Sequence, residues 1–217
     1  MSTAKPRGRT DAFFDSYAAD FSAIYGTGNS FINRFINSRF RRSMVLRFAK
    51  SIAGCRPVEG RSVLDVGCGP GHYSITLAKQ GAARIVGLDF APAMIALAKQ
   101  QAAAAGVSST CEFLCTDFMT FSAPQGFDYA IVMGFMDYVS DPAAVVQKVL
   151  ALTRRKAFFS FPRHGGLLAW QRKLRYRRRC DLYLYRLDEI EELFKRVGDA
   201  QATIERIERD FFVTASK

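Results

Sequence analysis

The sequence predicts an α/β protein, a mainly parallel sheet covered by helices on both faces. Three observations predict it. From Ser62 onward, short apolar runs of strand length alternate with helical segments. The runs are mostly short and apolar, as in a parallel sheet covered on both faces. The first strand–helix junction, "VLDVGCGPG" (residues 63–71), is a bare glycine turn.

The elements follow in order. Phe13, Phe14, Tyr17, Phe21, Ile24 and Tyr25 recur at helical spacing until "GTGN" breaks the pattern. Ser30 can cap a second helix, with Phe31, Ile32, Phe35, Ile36, Phe40, Met44 and Phe48 on its apolar side. "SVLDV" reads as a strand and "GHYSITLAKQG" as a helix closed by Gly81. "RIVGLD" is a strand, and "APAMIALAKQQAAAAG" a helix ending on Gly106. "CEFLCTD" and "FDYAIVM" are further strands. Asp141 caps "DPAAVVQKVLAL", with Pro142 in its first turn, and "KAFFSF" is the next strand. The alternation lapses over residues 162–186, then resumes with the helix "LDEIEELFKRVG". "ATIERIER" and "FFVTAS" are parted only by Asp210, which predicts an antiparallel pair at the sheet edge.

A chain of 217 residues suits one hydrophobic core. The expected layout is a tail with lid helices over residues 1–56 and a core over 57–217, with residues 162–186 as an insert. No run approaches the ~18 apolar residues of a membrane span. "MSTAKPRGRT" has no apolar stretch behind it, so a cytoplasmic location is expected rather than secretion. The five cysteines are scattered with no CxxC pair, and there are only two histidines. Reduced thiols are expected, with neither a disulfide framework nor a metal site. Cys111 and Cys115 share a face of their strand and read as small core residues.

The net charge of +11 is unevenly placed. Residues 1–56 carry a net +7 and residues 154–186 a net +10, while the remaining stretches are acidic. Such surfaces favour an anionic partner: nucleic acid, a lipid headgroup or an acidic small molecule.

Glycines between a strand and a helix let the backbone approach a ligand, and in an open parallel sheet that place is the binding crevice. Gly67, Gly69 and Gly71 form GxGxG, not the dinucleotide GxGxxG. Asp65, two residues ahead, would repel a pyrophosphate but not a ligand that is free of phosphate and carries positive charge.

"VLDVGCGPG" resembles the first motif of class I S-adenosylmethionine-dependent methyltransferases. The resemblance implies their Rossmann-like, seven-stranded, mainly parallel sheet, and S-adenosylmethionine against Asp65, Gly67, Cys68, Gly69 and Gly71. It implies that Asp89, ending "VGLDF", accepts hydrogen bonds from the ribose hydroxyls, with Phe90 and Met94 beside it. In "TDF", Asp117 would meet the adenine amino group and the Phe118 N–H the ring. Met133 and Gly134, ending "FDYAIVMGF", would line the methionine moiety and the acceptor. "FFDSYAADFSAIYG" is similar to the lid helix of small-molecule members, whose phenols, here Tyr17 and Tyr25, close over the cofactor. "IYGTGNSFINRF" resembles the start of magnesium-protoporphyrin methyltransferases. Those enzymes place a histidine after the fourth strand, where this chain has Asp137.

The insert mixes guanidinium groups with aromatic rings in "RKLRYRRR", Trp170, Tyr176, Tyr183 and Tyr185. The expected role is a substrate cap, with Arg163, Arg175 and Arg178 facing an anionic acceptor and Trp170 and Tyr183 its apolar body. The same residues could touch an anionic membrane surface. Methyl transfer to oxygen of a small molecule is the leading expectation. RNA is an alternative acceptor, though neither a nucleic-acid module nor an "NPPY"-like tetrapeptide is visible, and a catalytically idle partner protein is a third reading. A proton leaving the acceptor needs a base, and Asp137 and His164 are the candidates.

Overall fold

In the computed structural model the described residues are 31–165, 182–198 and 200–217, with side chains described from Arg42 onward. The first element is the helix α1 (Phe31–Gly54). It is followed by β1 (Ser62–Val66), α2 (His72–Lys79), β2 (Arg84–Asp89), α3 (Pro92–Ala104) and β3 (Cys111–Cys115). Next come β4 (Phe127–Val132), a 3-10 turn (Met136–Tyr138), α4 (Pro142–Leu152) and β5 (Thr153–Pro162). The chain closes with α5 (Leu187–Val197), β6 (Gln201–Ile207) and β7 (Asp210–Ser216).

The seven strands form one sheet in the order β3–β2–β1–β4–β5–β7–β6. The first five in that order run parallel, and β7 lies antiparallel between β5 and β6. The predicted sheet and its antiparallel edge are both present. The strand order reverses at β1: β2 and β3 are added on one side and β4 and β5 on the other, all parallel, which places a crevice at the carboxyl ends of β1 and its two neighbours.

Alternation along the strands divides the core. Leu64 and Val66 of β1 face α4 and α5, with Val145, Val146, Ile190 and Phe194. Val63 faces the other way, with Ile52 of α1, Leu77 of α2 and Ala98 of α3. Asp141 caps α4 as expected, its Oδ1 accepting the Ala144 N–H at 3.1 Å.

Two boundaries and one burial differ from the sequence reading. Strand β5 begins at Thr153, ahead of "KAFFSF", because the Thr153 hydroxyl closes α4 on the Val149 carbonyl at 2.7 Å and the chain enters the strand at once. Its first residues, Arg154, Arg155 and Lys156, carry no apolar signal. The β6–β7 turn is at Glu208, with φ of 46°, and Asp210 lies buried inside β7. Cys115 is exposed at the tip of the edge strand β3, so only Cys111 of that pair is core.

Candidate functional site

The turn after β1 passes through three left-handed glycines: Gly67 (φ 69°), Gly69 (φ 52°) and Gly71 (φ 80°). The N–H groups of Gly67 and Cys68 both donate to the Leu88 carbonyl, at 2.8 and 2.9 Å, which pins the turn to β2. The glycines do different work. A Cβ on Gly67 would lie 2.8 Å from the Phe135 ring, and one on Gly71 would lie 3.0 Å from Phe113. A Cβ on Gly69 would meet nothing within 4 Å. Gly67 and Gly71 are bare for packing, whereas Gly69 leaves backbone open to a ligand. The Cys68 side chain is turned into the core, so only its backbone belongs to this surface.

Asp89 closes the other side of the crevice. Its Oδ2 accepts the Gly69 N–H at 2.9 Å and its Oδ1 accepts the Ala91 N–H at 2.9 Å. Burial raises its pKa, opposed by these N–H groups. Each oxygen keeps acceptor capacity for a further donor. The Thr116 N–H donates to the Asp89 carbonyl at 3.0 Å, which brings the Asp117 turn alongside. Asp117 is exposed, with Oδ1 accepting the Met119 N–H at 2.8 Å. Phe90 is half-buried, and Met94 is buried at the start of α3.

One expected contact is corrected. Asp65 does not face the open side of the turn: it is 2% exposed, and its Oδ2 accepts the Ser74 hydroxyl of α2 at 2.7 Å. Strand alternation sends it to the α2 face with Val63. Desolvation raises its pKa to about 7, with the Ser74 hydrogen bonds pulling the other way. The Phe118 ring is core, edge-on to Phe135 with the Lys148 ammonium over its face. Only its backbone can serve a ligand.

At the end of β4, Met133 is half-buried and Gly134 adopts φ of 70°. The Gly134 N–H donates to the Ser160 hydroxyl of β5 at 2.8 Å. Arg47 of α1 donates to the same hydroxyl through Nη1 at 3.2 Å, and Nη1 lies 3.6 Å from Asp210 Oδ2. The Ser43 hydroxyl donates to that carboxylate oxygen. Sequence reasoning missed this group. The basic bias of residues 1–56 hinted at a cation, but nothing local marked Arg47 among ten Lys and Arg residues.

The insert is rooted beside the same strand ends. The Tyr185 N–H donates to the Pro162 carbonyl at 2.8 Å, and the His164 N–H to the Tyr185 carbonyl at 2.7 Å. The Tyr183 N–H donates to the Asp137 carbonyl at 2.8 Å, and the Tyr185 hydroxyl to the Met136 carbonyl at 3.1 Å. Asp137 is 3% exposed in the 3-10 turn after β4. The His164 side chain is exposed, as is Tyr183. Arg163 is corrected: its Nη1 donates to the Glu208 carbonyl at 2.8 Å and its guanidinium lies over the Phe211 ring, so it fastens the β6–β7 turn. Tyr17, Tyr25, Trp170, Arg175 and Arg178 lie outside the described residues. Among the described residues no three metal-binding side chains converge, and no helix is long and apolar enough to cross a membrane.

A family model described as "Methyltransferase domain" matches residues 63–156, the span holding the glycine turn, Asp89, Asp117 and Gly134. This region of the chain is similar to a methyltransferase domain. Curated relatives match across the same region. The ubiquinone biosynthesis O-methyltransferase of Neisseria meningitidis serogroup C (strain 053442) is 34% identical over 105 residues, 48% of this chain and 44% of that protein. The mitochondrial ubiquinone biosynthesis O-methyltransferase of Arabidopsis thaliana is 34% identical over 117 residues, 52% of this chain and 36% of that protein. The match thus spans less than half the length of these relatives. Magnesium protoporphyrin IX methyltransferase from Synechocystis PCC 6803, with bound SAM, superposes at TM-score 0.74 and 19% identity over 100% of both chains. With bound SAH the values are 0.73 and 21%, over 95% of this chain and 97% of that one. The matched region and its flanking elements share that fold.

Proposed function

We propose that the protein transfers a methyl group from S-adenosylmethionine to an oxygen of a small-molecule acceptor. The observation that carries this reading is the Asp89–Gly69 seat: an acid ending β2, bonded to a glycine whose Cβ position is open. The residues present fit the cofactor. Asp89 would accept the two ribose hydroxyls, Asp117 the adenine amino group, and the Phe118 N–H would face the ring. Arg47, a largely buried cation at the end of β4, would hold the carboxylate of the methionine moiety. When bound, S-adenosylmethionine supplies a methyl group activated by its sulfonium.

The remaining work is positioning and proton removal. The Gly134 turn and Asp137 lie at the end of β4, where the acceptor oxygen would meet the methyl in line. Asp137 is the proposed recipient of the acceptor's proton. The covering insert, through Trp170, Arg175, Arg178 and Tyr183, would bind the acceptor and exclude water, so that orientation supplies much of the rate. The names of the curated relatives support oxygen as the methylated atom. An apolar body bearing a phenol or carboxyl group suits the mixture of rings and guanidinium groups.

The test is incubation with methyl-labelled S-adenosylmethionine and a panel of apolar phenols and carboxylic acids, with products identified by mass. A labelled ether or ester is expected. Label found only in RNA, or no transfer to any acceptor, would contradict the proposal.

A further inference from the structure

We propose that Ser160 is a positioning residue of this site: its hydroxyl holds the Arg47 guanidinium in register with the Gly134 turn. The inference rests on the reading of Arg47 as the partner of the methionine carboxylate. Ser160 is 1% exposed and sits on the face of β5 that meets α1. Its oxygen accepts the Gly134 N–H at 2.8 Å and the Arg47 Nη1–H at 3.2 Å, so both acceptor positions of the hydroxyl are in use. A Cβ on Gly134 would stand 3.9 Å from Nη1, so cation and turn are close neighbours. One hydroxyl therefore sets the distance between the group that receives the carboxylate and the turn where the methyl leaves.

The alternative resting place of Arg47 is visible. Asp210 Oδ2 lies 3.6 Å from Nη1, beyond hydrogen-bond reach, and Ser43 holds that oxygen from the other side. Arg47 Nε is buried and has no hydrogen-bond partner among the described residues, so a donor remains for a ligand oxygen. With Ser160 removed, Nη1 loses the hydrogen bond that holds it off Asp210, and the guanidinium withdraws from the ligand. Register favours this. Pro162 pairs with Asp210 and Ser160 with Phe212, so Ser160 and Asp210 share one face of the sheet.

The test compares two ligands that differ at the carboxylate. S-adenosylhomocysteine carries the amino acid end, and 5′-methylthioadenosine lacks it. Calorimetry on Ser160→Ala should show about a tenfold or greater loss for S-adenosylhomocysteine and less than about twofold for 5′-methylthioadenosine, the scale of a charge-assisted hydrogen bond. Added to Arg47→Gln, Ser160→Ala should cost no more than about a further twofold, because the two act as one unit. Ser160→Cys keeps the bulk with a weaker acceptor and should fall between wild type and Ala, with the same preference between ligands. It carries the comparison if the alanine variant does not fold. Equal losses for both ligands, unchanged S-adenosylhomocysteine affinity, or full additivity with Arg47→Gln would overturn the positioning role and leave the proposed function standing. No binding of S-adenosylhomocysteine to the wild type would overturn both.

Discussion

The carboxylate of Asp89, at the end of β2, accepts the N–H of Gly69, at the end of β1, at 2.9 Å. Two motifs twenty residues apart are thus one structural unit. The acid holds the turn open and the turn fixes the acid, so a change at either should be felt at both.

Gly67→Ala and Gly69→Ala should separate stability from binding. Alanine at 67 meets both a left-handed φ and the Phe135 ring, and should lower stability by roughly 1–3 kcal/mol. Alanine at 69 meets backbone strain but no neighbour, and projects into the ligand's side of the turn. Thermal melts should rank Gly67→Ala as the less stable, and titration with S-adenosylhomocysteine should find Gly69→Ala impaired despite its milder melt.

Asp65 predicts a pH dependence. Its carboxyl titrates at about 7 in the fold against 3.8 ordinarily. The folded state therefore holds a proton that the unfolded state releases. This stabilising contribution is complete below the ordinary value and is lost as pH rises through about 7, by at most about 1.4 kcal/mol per pH unit. Asp65→Asn keeps a group that can bond Ser74 and has no such slope. Denaturant melts should show the variant gaining on wild type as pH rises through this window. A constant difference at all pH values would contradict the assignment.

Asp137→Asn should preserve S-adenosylhomocysteine affinity and lower kcat by ~10²-fold or more, the usual scale for a proton-transfer group. His164→Ala should matter less, since the His164 side chain is exposed and so lies poorly placed for an acceptor shielded from water. Normal turnover in Asp137→Asn with a collapse in His164→Ala would reverse the roles.

Replacing Arg175, Arg177, Arg178 and Arg179 by Gln should raise the acceptor's KM and leave S-adenosylhomocysteine affinity nearly unchanged. Steady-state kinetics at low and high salt check this, since screening weakens exposed charge contacts. A KM that responds to neither salt nor substitution would reduce the cluster to a solvated face.

The parallel part of the sheet was legible because each of its strands carries a short apolar run, and the motifs proposed for the cofactor sit at the run ends. Side-chain direction was less legible. Asp65 looked like a ligand group because it adjoins the glycines, yet strand alternation, readable from Val63, already sent it towards α2. The Arg47–Ser160–Asp210 group was not legible at all. It joins a helix to two strands that are neighbours in the sheet but far apart in sequence, with Ser43 and Asp210 separated by 167 positions. No local pattern announces a contact that only the packing of α1 on β5 and β7 creates.

Calorimetric titration of the wild type and Asp89→Ala with S-adenosylhomocysteine, and of the wild type with NADH, tests the central claim most directly. The wild type should bind S-adenosylhomocysteine and not NADH. Asp89→Ala should lose roughly 1.5–3 kcal/mol of affinity, as expected for hydrogen bonds to a charged acceptor. Binding of NADH in its place, or undiminished affinity in Asp89→Ala, would contradict the account.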